Sequence, residues 1–261
     1  MTADSVGFDR AAAYYDATRG FPPGVEQGAA ALVSRVGGLT LESRVLEIGA
    51  GTGRIALPVS RHVGEYYGID VSASMLARLR GKQDAHKVYA AQADATYLPF
   101  PTSSFDAVIA VHVFHLIAGW QHALREVARV LRPGGKLLHC WGGRMVTFDV
   151  LMTAWRSVIP DEENQTVGAN YETQPDFLED EGWQPLGAAE KYPFTYQKTP
   201  QEYVDQLAGR VWSRTWRLSD ETLQAGIAAV QAALQAHYGD PTIPVTVETD
   251  FAAQAFQPPL S

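Results

Sequence analysis

The chemistry-bearing residues in the first half of the chain stand where apolar runs end. Val45-Leu46-Glu47-Ile48 carries one carboxylate and leads directly into Gly49-Ala50-Gly51-Thr52-Gly53. Glycines on alternate positions take positive φ and leave the backbone open to a closely approaching ligand. An apolar strand running into such a turn has the form of a nucleotide-cofactor site. The spacing narrows the ligand, because the dinucleotide fingerprint G-x-G-x-x-G has one more residue before its third glycine than the G-x-G-x-G found here. Asp70 follows Gly49 by 21 residues and closes the next apolar run. A carboxylate about 20 residues beyond the glycines accepts hydrogen bonds from a ribose diol; the alternative for Asp70 is a turn residue or a helix-entry charge. The phosphate-binding pattern G-x-x-x-x-G-K-[ST] is absent.

The elements that must position these residues alternate through residue 141. Strands are expected near 44–48, 66–69, 87–90, 105–111 and 136–141, and helices near 53–63, 73–81 and 120–131. Ser72 reads as an N-cap for the second of these helices. Such alternation predicts an open parallel sheet with helices on both faces. Beyond it the pattern predicts a helix near 147–158, a polar loop near 160–170, a helix from Gln174 to Asp180, extended chain over 185–198, a helical segment over 200–238, and extended chain over 242–257.

Five ordered motifs between about residues 43 and 141 resemble those of the class I S-adenosylmethionine-dependent methyltransferases. They are the Val45–Val59 glycine segment, Gly68-Ile69-Asp70-Val71-Ser72-Ala73-Ser74-Met75-Leu76, Gln92–Phe100 with its Asp94 and Leu-Pro-Phe, Ser104-Phe105-Asp106-Ala107-Val108-Ile109, and Glu126–Leu137 with Arg-Pro-Gly-Gly. The likeness is closest to the branch of ubiquinone and menaquinone methyltransferases and small-molecule enzymes. It implies an α/β fold: a Rossmann-like, doubly wound, seven-stranded sheet, mostly parallel with an antiparallel last strand, plus a helical lid insertion at 200–238. Residues 1–261 would then form a single domain, with N-terminal cap helices in 1–40 and a cofactor-binding core in 41–145.

S-adenosylmethionine as cofactor gives each residue a role under that resemblance. Asp70 suits the ribose hydroxyls, and Asp94 suits the adenine amino group, with the backbone N–H of Ala95 available to a ring nitrogen; the alternative for Asp94 is a turn cap. Met75 and Leu76 offer an apolar, polarisable face to the ring, with plain helix-to-sheet core as the alternative for Met75. Glu47 places negative charge near the cationic methionine end and ties down the glycine turn. Gly49, Ala50, Gly51, Gly53, Val71 and Val111 complete the cradle. The segment Phe8–Arg19 resembles the family's leading helix, which sets Tyr15 and Arg19 toward the cofactor carboxylate; a solvated surface arginine is the alternative. Arg210 to Arg217, with Trp212 and Trp216, suit either a cover over a ligand or an ordinary surface helix.

Catalytic candidates are fewer. His115 and His112 lie at the carboxyl end of the fourth strand, where open α/β sheets bind ligands, and histidine has the pKa range of a general base. Three residues apart on a strand they face opposite sides, so extended chain lets only one reach the substrate, whereas a helical turn lets both. His115 is the preferred candidate, with positioning as its alternative role, and His139 is a third. Cys140 is the lone cysteine and reads as a core residue in a reducing, cytoplasmic setting. A net charge of −8 argues against nucleic acid and anionic membrane partners. No segment reads as a leader or membrane span, and no metal-ligand spacing is present. The expected partner is a small-molecule methyl acceptor. A nicotinamide-dependent oxidoreductase and a non-catalytic binding module are the competing readings, and oligomeric state is not encoded in any motif.

Overall fold

The computed structural model describes residues 5–84, 87–142, 145–163, 165–171 and 173–259. Residues 1–4 of the expected N-terminal cap, 143–144 at the end of the expected core and Asn164 in the expected polar loop lie outside them. In chain order the elements are α1 (Tyr15–Arg19), α2 (Val25–Gly37), β1 (Arg44–Ile48), α3 (Ala56–Val59), β2 (Glu65–Asp70), α4 (Ala73–Lys82), β3 (Val88–Gln92), β4 (Phe105–Val111), α5 (Trp120–Val130), β5 (Leu131–Gly142), α6 (Asp149–Arg156), α7 (Phe177–Asp180), β6 (Gln184–Pro185), β7 (Glu190–Lys198), α8 (Pro200–Ala208), α9 (Asp220–His237) and β8 (Val245–Gln257). The chain divides into two compact units. One comprises Met1–Gly142, Val167–Tyr192 and Phe251–Ser261, and the other comprises Gly143–Thr166 and Pro193–Asp250.

The first unit is built on the sheet, whose order is β3-β2-β1-β4-β5-β8-β6, with β7 paired on β8. Strands β1 to β5 run parallel, and β8 runs antiparallel to β5 and β6. Central β1 and β4 are buried along nearly their whole length, as strands covered on both faces must be. Helix α5 turns Trp120, Ala123, Leu124, Val127 and Val130 inward, an apolar stripe at helical spacing that packs on the sheet. Because the first five strands are parallel, their carboxyl ends share one edge. Ile48 is in register with Ile69 and Ala110, and Asp70 with Gln92, so Glu47, Asp70, Val111 and the glycine turn gather there.

Three expectations need adjustment. The extended stretch 185–198 is two strands, making eight among the described residues, because Gly187 at φ 110 breaks the extended run. The helix expected over 53–63 is a single α-turn followed by a 3-10 turn at Ser60–His62, since Pro58 has no N–H for the helical ladder. The helical segment 200–238 is interrupted between α8 and α9, where Arg210 sits at φ 49.

The second unit has its own apolar core, drawn from α6, α8, α9 and the start of β8, with Trp155, Tyr203, Leu207, Val230 and Val247 buried. Gly226 admits the Trp155 ring, which a Cβ there would meet at 2.6 Å. Helix α8 opens with a capping box from Thr199 and Glu202, and α9 with a Ser219 cap. Arg210 fastens the intervening loop to the carbonyls of Thr215 and Leu218 and to Asp220. Among the described residues no helix is long and apolar enough to cross a membrane.

Two glycines test the packing. In α2, a Cβ on Gly28 would run into the Tyr192 ring, whereas Gly81 in α4 has open space around it. We expect Gly28→Ala to destabilise by about 1–3 kcal/mol and Gly81→Ala to be neutral or stabilising by up to about 1 kcal/mol. Urea midpoints check both; equal midpoints for the two variants would contradict the packing described.

Candidate functional site

The three turn glycines all have positive φ, at 72°, 55° and 85° for Gly49, Gly51 and Gly53, but they are glycines for different reasons. A Cβ on Gly49 would press on Val113 at 2.6 Å, and one on Gly53 would press on Leu79 and Leu57 at 2.9 and 3.1 Å. These two serve close packing. Around Gly51 the nearest atom to such a Cβ is Met75 Cε at 3.4 Å, so this glycine leaves the turn open to a ligand. The resemblance sets Gly53 in the cofactor cradle, and the side a Cβ would take there is filled by Leu79 and Leu57.

A narrow cleft opens here, lined by Tyr15, Glu47, Gly49, Ala50, Gly51, Thr52, Arg54, Ile55 and Val111. Glu47 is 2% exposed and accepts a hydrogen bond from the Tyr66 hydroxyl at 2.9 Å. It has no ion-pair partner among the described residues. Burial therefore dominates its titration and pushes its pKa from 4.5 up to about 8, opposed by the Tyr66 hydrogen bond and the more distant charge of Arg54.

The carboxylate that ties the glycine turn is Asp70, not Glu47 as expected. Asp70 Oδ2 accepts from Gly51 N–H at 2.9 Å and Oδ1 from Ser72 N–H at 2.8 Å. Burial raises its pKa, and these backbone donors limit the rise. Ser72 in turn caps α4 by accepting from Met75 N–H, which fixes the buried Met75 beside Gly51. Val71 is held by its carbonyl, which accepts from Gln92 Nε2. Asp94 folds its own turn through Oδ1, which accepts from the N–H and hydroxyl of Thr96. Its Oδ2 has no partner among the described residues, and Ala95 beside it is buried in the core.

The N-terminal segment is strapped onto these turns by two aspartates of the Phe8–Arg19 segment. Asp9 accepts from the Ser72 hydroxyl at 2.8 Å. Asp16 accepts from the Thr52 hydroxyl at 2.5 Å and pairs with Lys82 at 3.0 Å. Tyr15 thereby reaches the cleft, and the Arg19 guanidinium lies 5.9 Å from the Tyr15 ring centroid. Sequence reading also missed Thr52, Arg54 and Ile55 as cleft residues. Arg54 donates to the Arg19 carbonyl at 3.0 Å and lies over the Phe21 ring. Its position directly after the third glycine was the available signal.

After Val111 the chain leaves the extended state at once. His112 takes φ 49, and Phe114–Leu116 form a 3-10 turn. His112 Nε2 accepts from Gly142 N–H, latching the end of β4 to the end of β5. Burial, then the nearby charge of Arg54, holds its pKa well below 6.5. His115 lies in the 3-10 turn with its ring 5.4 Å from Tyr171. His139 on β5 is 8% exposed, and burial lowers its pKa to about 4.

Glu47 makes a pH-dependent demand on folding. A raised folded-state pKa contributes stability that is complete below about pH 4.5 and is lost as pH rises through about 8. The expected slope approaches about 1.4 kcal/mol per pH unit in that window. Glu47→Gln should flatten the alkaline side of the stability profile of the cofactor-free protein, measured as urea midpoints from pH 5 to 8.5. Parallel profiles for the two proteins would refute this.

The sequence profile of the methyltransferase-domain family matches residues 46–139. A demethylmenaquinone methyltransferase of Tropheryma whipplei (strain Twist) is 37% identical over 103 residues, which are 40% of this chain and 43% of that protein. The match thus spans less than half the length of that relative. The crystal structure of the YcgJ protein of Bacillus subtilis superposes with a TM-score of 0.59 at 18% identity, over 90% of this chain and 99% of that one. Phosphoethanolamine N-methyltransferase 2 of Haemonchus contortus, solved in complex with S-adenosyl-L-methionine, superposes with a TM-score of 0.52 at 21% identity, over 97% of this chain and 57% of that one. Residues 46–139 thus match the methyltransferase-domain family, and the chain shares the Rossmann-like fold of these solved structures.

Proposed function

We propose that the protein transfers a methyl group from S-adenosylmethionine to a small-molecule acceptor. The observation that carries this reading is Glu47, a buried carboxylate at the mouth of an open glycine turn with no cation paired to it among the described residues. An unpaired buried carboxylate is costly, and a cationic ligand relieves that cost. A dinucleotide would bring anionic phosphates to the same place, so the nicotinamide alternative fits poorly.

The residues suit the cofactor part by part. Glu47 faces its cationic methionine end. Asp70 keeps a lone pair on each oxygen beyond its two backbone contacts, enough to accept from ribose hydroxyls. Asp94 Oδ2 suits the adenine amino group, and Met75 the ring face. Arg54, with Tyr15 and Arg19 near it, suits the carboxylate. When bound, the cofactor supplies a methyl group on a sulfonium, already activated for in-line transfer. The chain's part is then to hold the acceptor in line and exclude water, which is worth about 7–11 kcal/mol of barrier in favourable cases.

His112 has its Nε2 lone pair engaged by Gly142, so we assign it a structural role. His115, which the 3-10 turn carries to the same sheet edge, is retained as the acceptor-side candidate. The net charge of −8 disfavours nucleic acid as acceptor, and the single buried Cys140 fits a reducing, cytoplasmic setting.

Calorimetric titration should show S-adenosylmethionine binding and no comparable binding of NAD. Asp70→Ala should weaken the former at least tenfold; unchanged affinity would remove the ribose assignment. Turnover of labelled methyl groups over a metabolite panel separates an enzyme from a binding module, and binding without any transfer would favour the module.

A further inference from the structure

Outside the cleft, the first unit contains a second concentration of polar chemistry. Phe114, His115, His139, Trp141, Tyr171 and Phe177 form one aromatic cluster at the carboxyl ends of β4 and β5. His139 lies 5.7 Å from Tyr171, 5.4 Å from Phe177 and 5.1 Å from Trp141 between ring centroids. Phe114 and Phe177 are fully buried, while His115, Trp141 and Tyr171 are only half-buried, so the cluster is open on one side.

Tyr171 reaches this place by a specific docking. Gly168 and Ala169 donate to the carbonyls of His115 and Phe114 at 3.0 and 3.2 Å, an approach so close that a Cβ on Gly168 would overlap Phe114 O. The docking carries the Tyr171 ring over His115 and His139. Among the described residues, two buried polar atoms result without a hydrogen-bond partner: His139 Nε2 and Tyr171 Oη. The N–H groups of His115 and Phe114 lie near enough to Oη to temper its titration, yet neither closes a hydrogen bond on it.

Buried polar atoms are almost always paired, because an unpaired one forfeits about 1–3 kcal/mol of hydration. Two such atoms in one aromatic cluster, at the sheet edge where parallel α/β proteins bind ligands, mark a place for a guest. We propose that this cluster is the acceptor subsite, in which His139 Nε2 and Tyr171 Oη hold an oxygen atom on a flat, uncharged ring. The aromatic walls take the faces and edges of the ring. The tyrosine hydroxyl donates to the oxygen, and the imidazole accepts from it when it is a hydroxyl. Burial keeps both groups neutral near pH 7, lowering the histidine and raising the tyrosine. A charged guest would be desolvated without compensation. The assignment rests on the methyl-transfer reading and adds to it the residues that grip the acceptor; His139 and Tyr171 are positioning groups.

The probes are 2-naphthol, which has the flat ring and hydroxyl, and 2-naphthoate, which replaces the hydroxyl with a charge. The wild-type chain should bind 2-naphthol at least tenfold more tightly than 2-naphthoate in fluorescence titrations. Tyr171→Phe should weaken 2-naphthol at least tenfold while leaving S-adenosylmethionine affinity intact. Its melting temperature should be unchanged or raised, because the lost hydroxyl had no partner. His139→Gln should weaken 2-naphthol likewise, and Tyr171→Phe alone decides the matter if that variant does not fold. Failure of the wild type to bind 2-naphthol, equal binding by Tyr171→Phe, or a clear fall in its melting temperature would each overturn the subsite. In the last case the two atoms would be joined by a structural water. Loss of S-adenosylmethionine binding by the wild type would instead overturn the broader reading, whatever the naphthol result.

Discussion

The site depends first on one desolvated carboxylate. Asp70 stands at the end of β2 and takes the Gly51 N–H on one oxygen and the Ser72 N–H on the other. Through the first bond it holds the glycine turn that follows β1. Through the second it sets the start of α4, and with it Ser72 and Met75. Two loops that are distant in sequence are thus fixed by a single side chain. The buried setting raises the carboxylate's pKa, so each backbone donor that stabilises the charged form matters more than it would in water.

Around that clamp the chain distributes charge unevenly. Glu47 is buried and accepts a tyrosine hydroxyl, Asp94 spends one oxygen on its own turn, and Arg54 lines the same cleft. The same edge carries a neutral side: His112 bound through Nε2, and His139 and Tyr171 within an aromatic cluster. A charged wall and a neutral wall on one sheet edge suit two ligands of different character, one cationic and one not.

The connections matter as much as the strands. Asp9 and Asp16 fasten the N-terminal segment to Ser72, Thr52 and Lys82, which is how Tyr15 arrives at the cleft. Residues 168 and 169 dock on the 3-10 turn after β4 by backbone hydrogen bonds, which is how Tyr171 arrives at the aromatic cluster. In the second unit, Arg210 spends its guanidinium on two carbonyls and Asp220. An arginine that reads in sequence as a ligand-covering charge is here the tie of its own loop.

What the sequence determined by itself was everything written in local periodicity and fixed spacing. The five parallel strands, the helices at 73 and 120, the Ser72 cap, the glycine turn and the acids at 47, 70 and 94 were legible because each depends on near neighbours in the chain. Tertiary structure alone decided which partner each polar group found. It gave the Gly51 N–H to Asp70 rather than to Glu47, faced Gly53 toward Leu57 and Leu79, brought Arg54 to the cleft, and set Tyr171 against His139 across more than thirty residues of chain. Hydrogen bonds of that kind join groups remote in sequence, and burial sets their strength, so no local pattern records them.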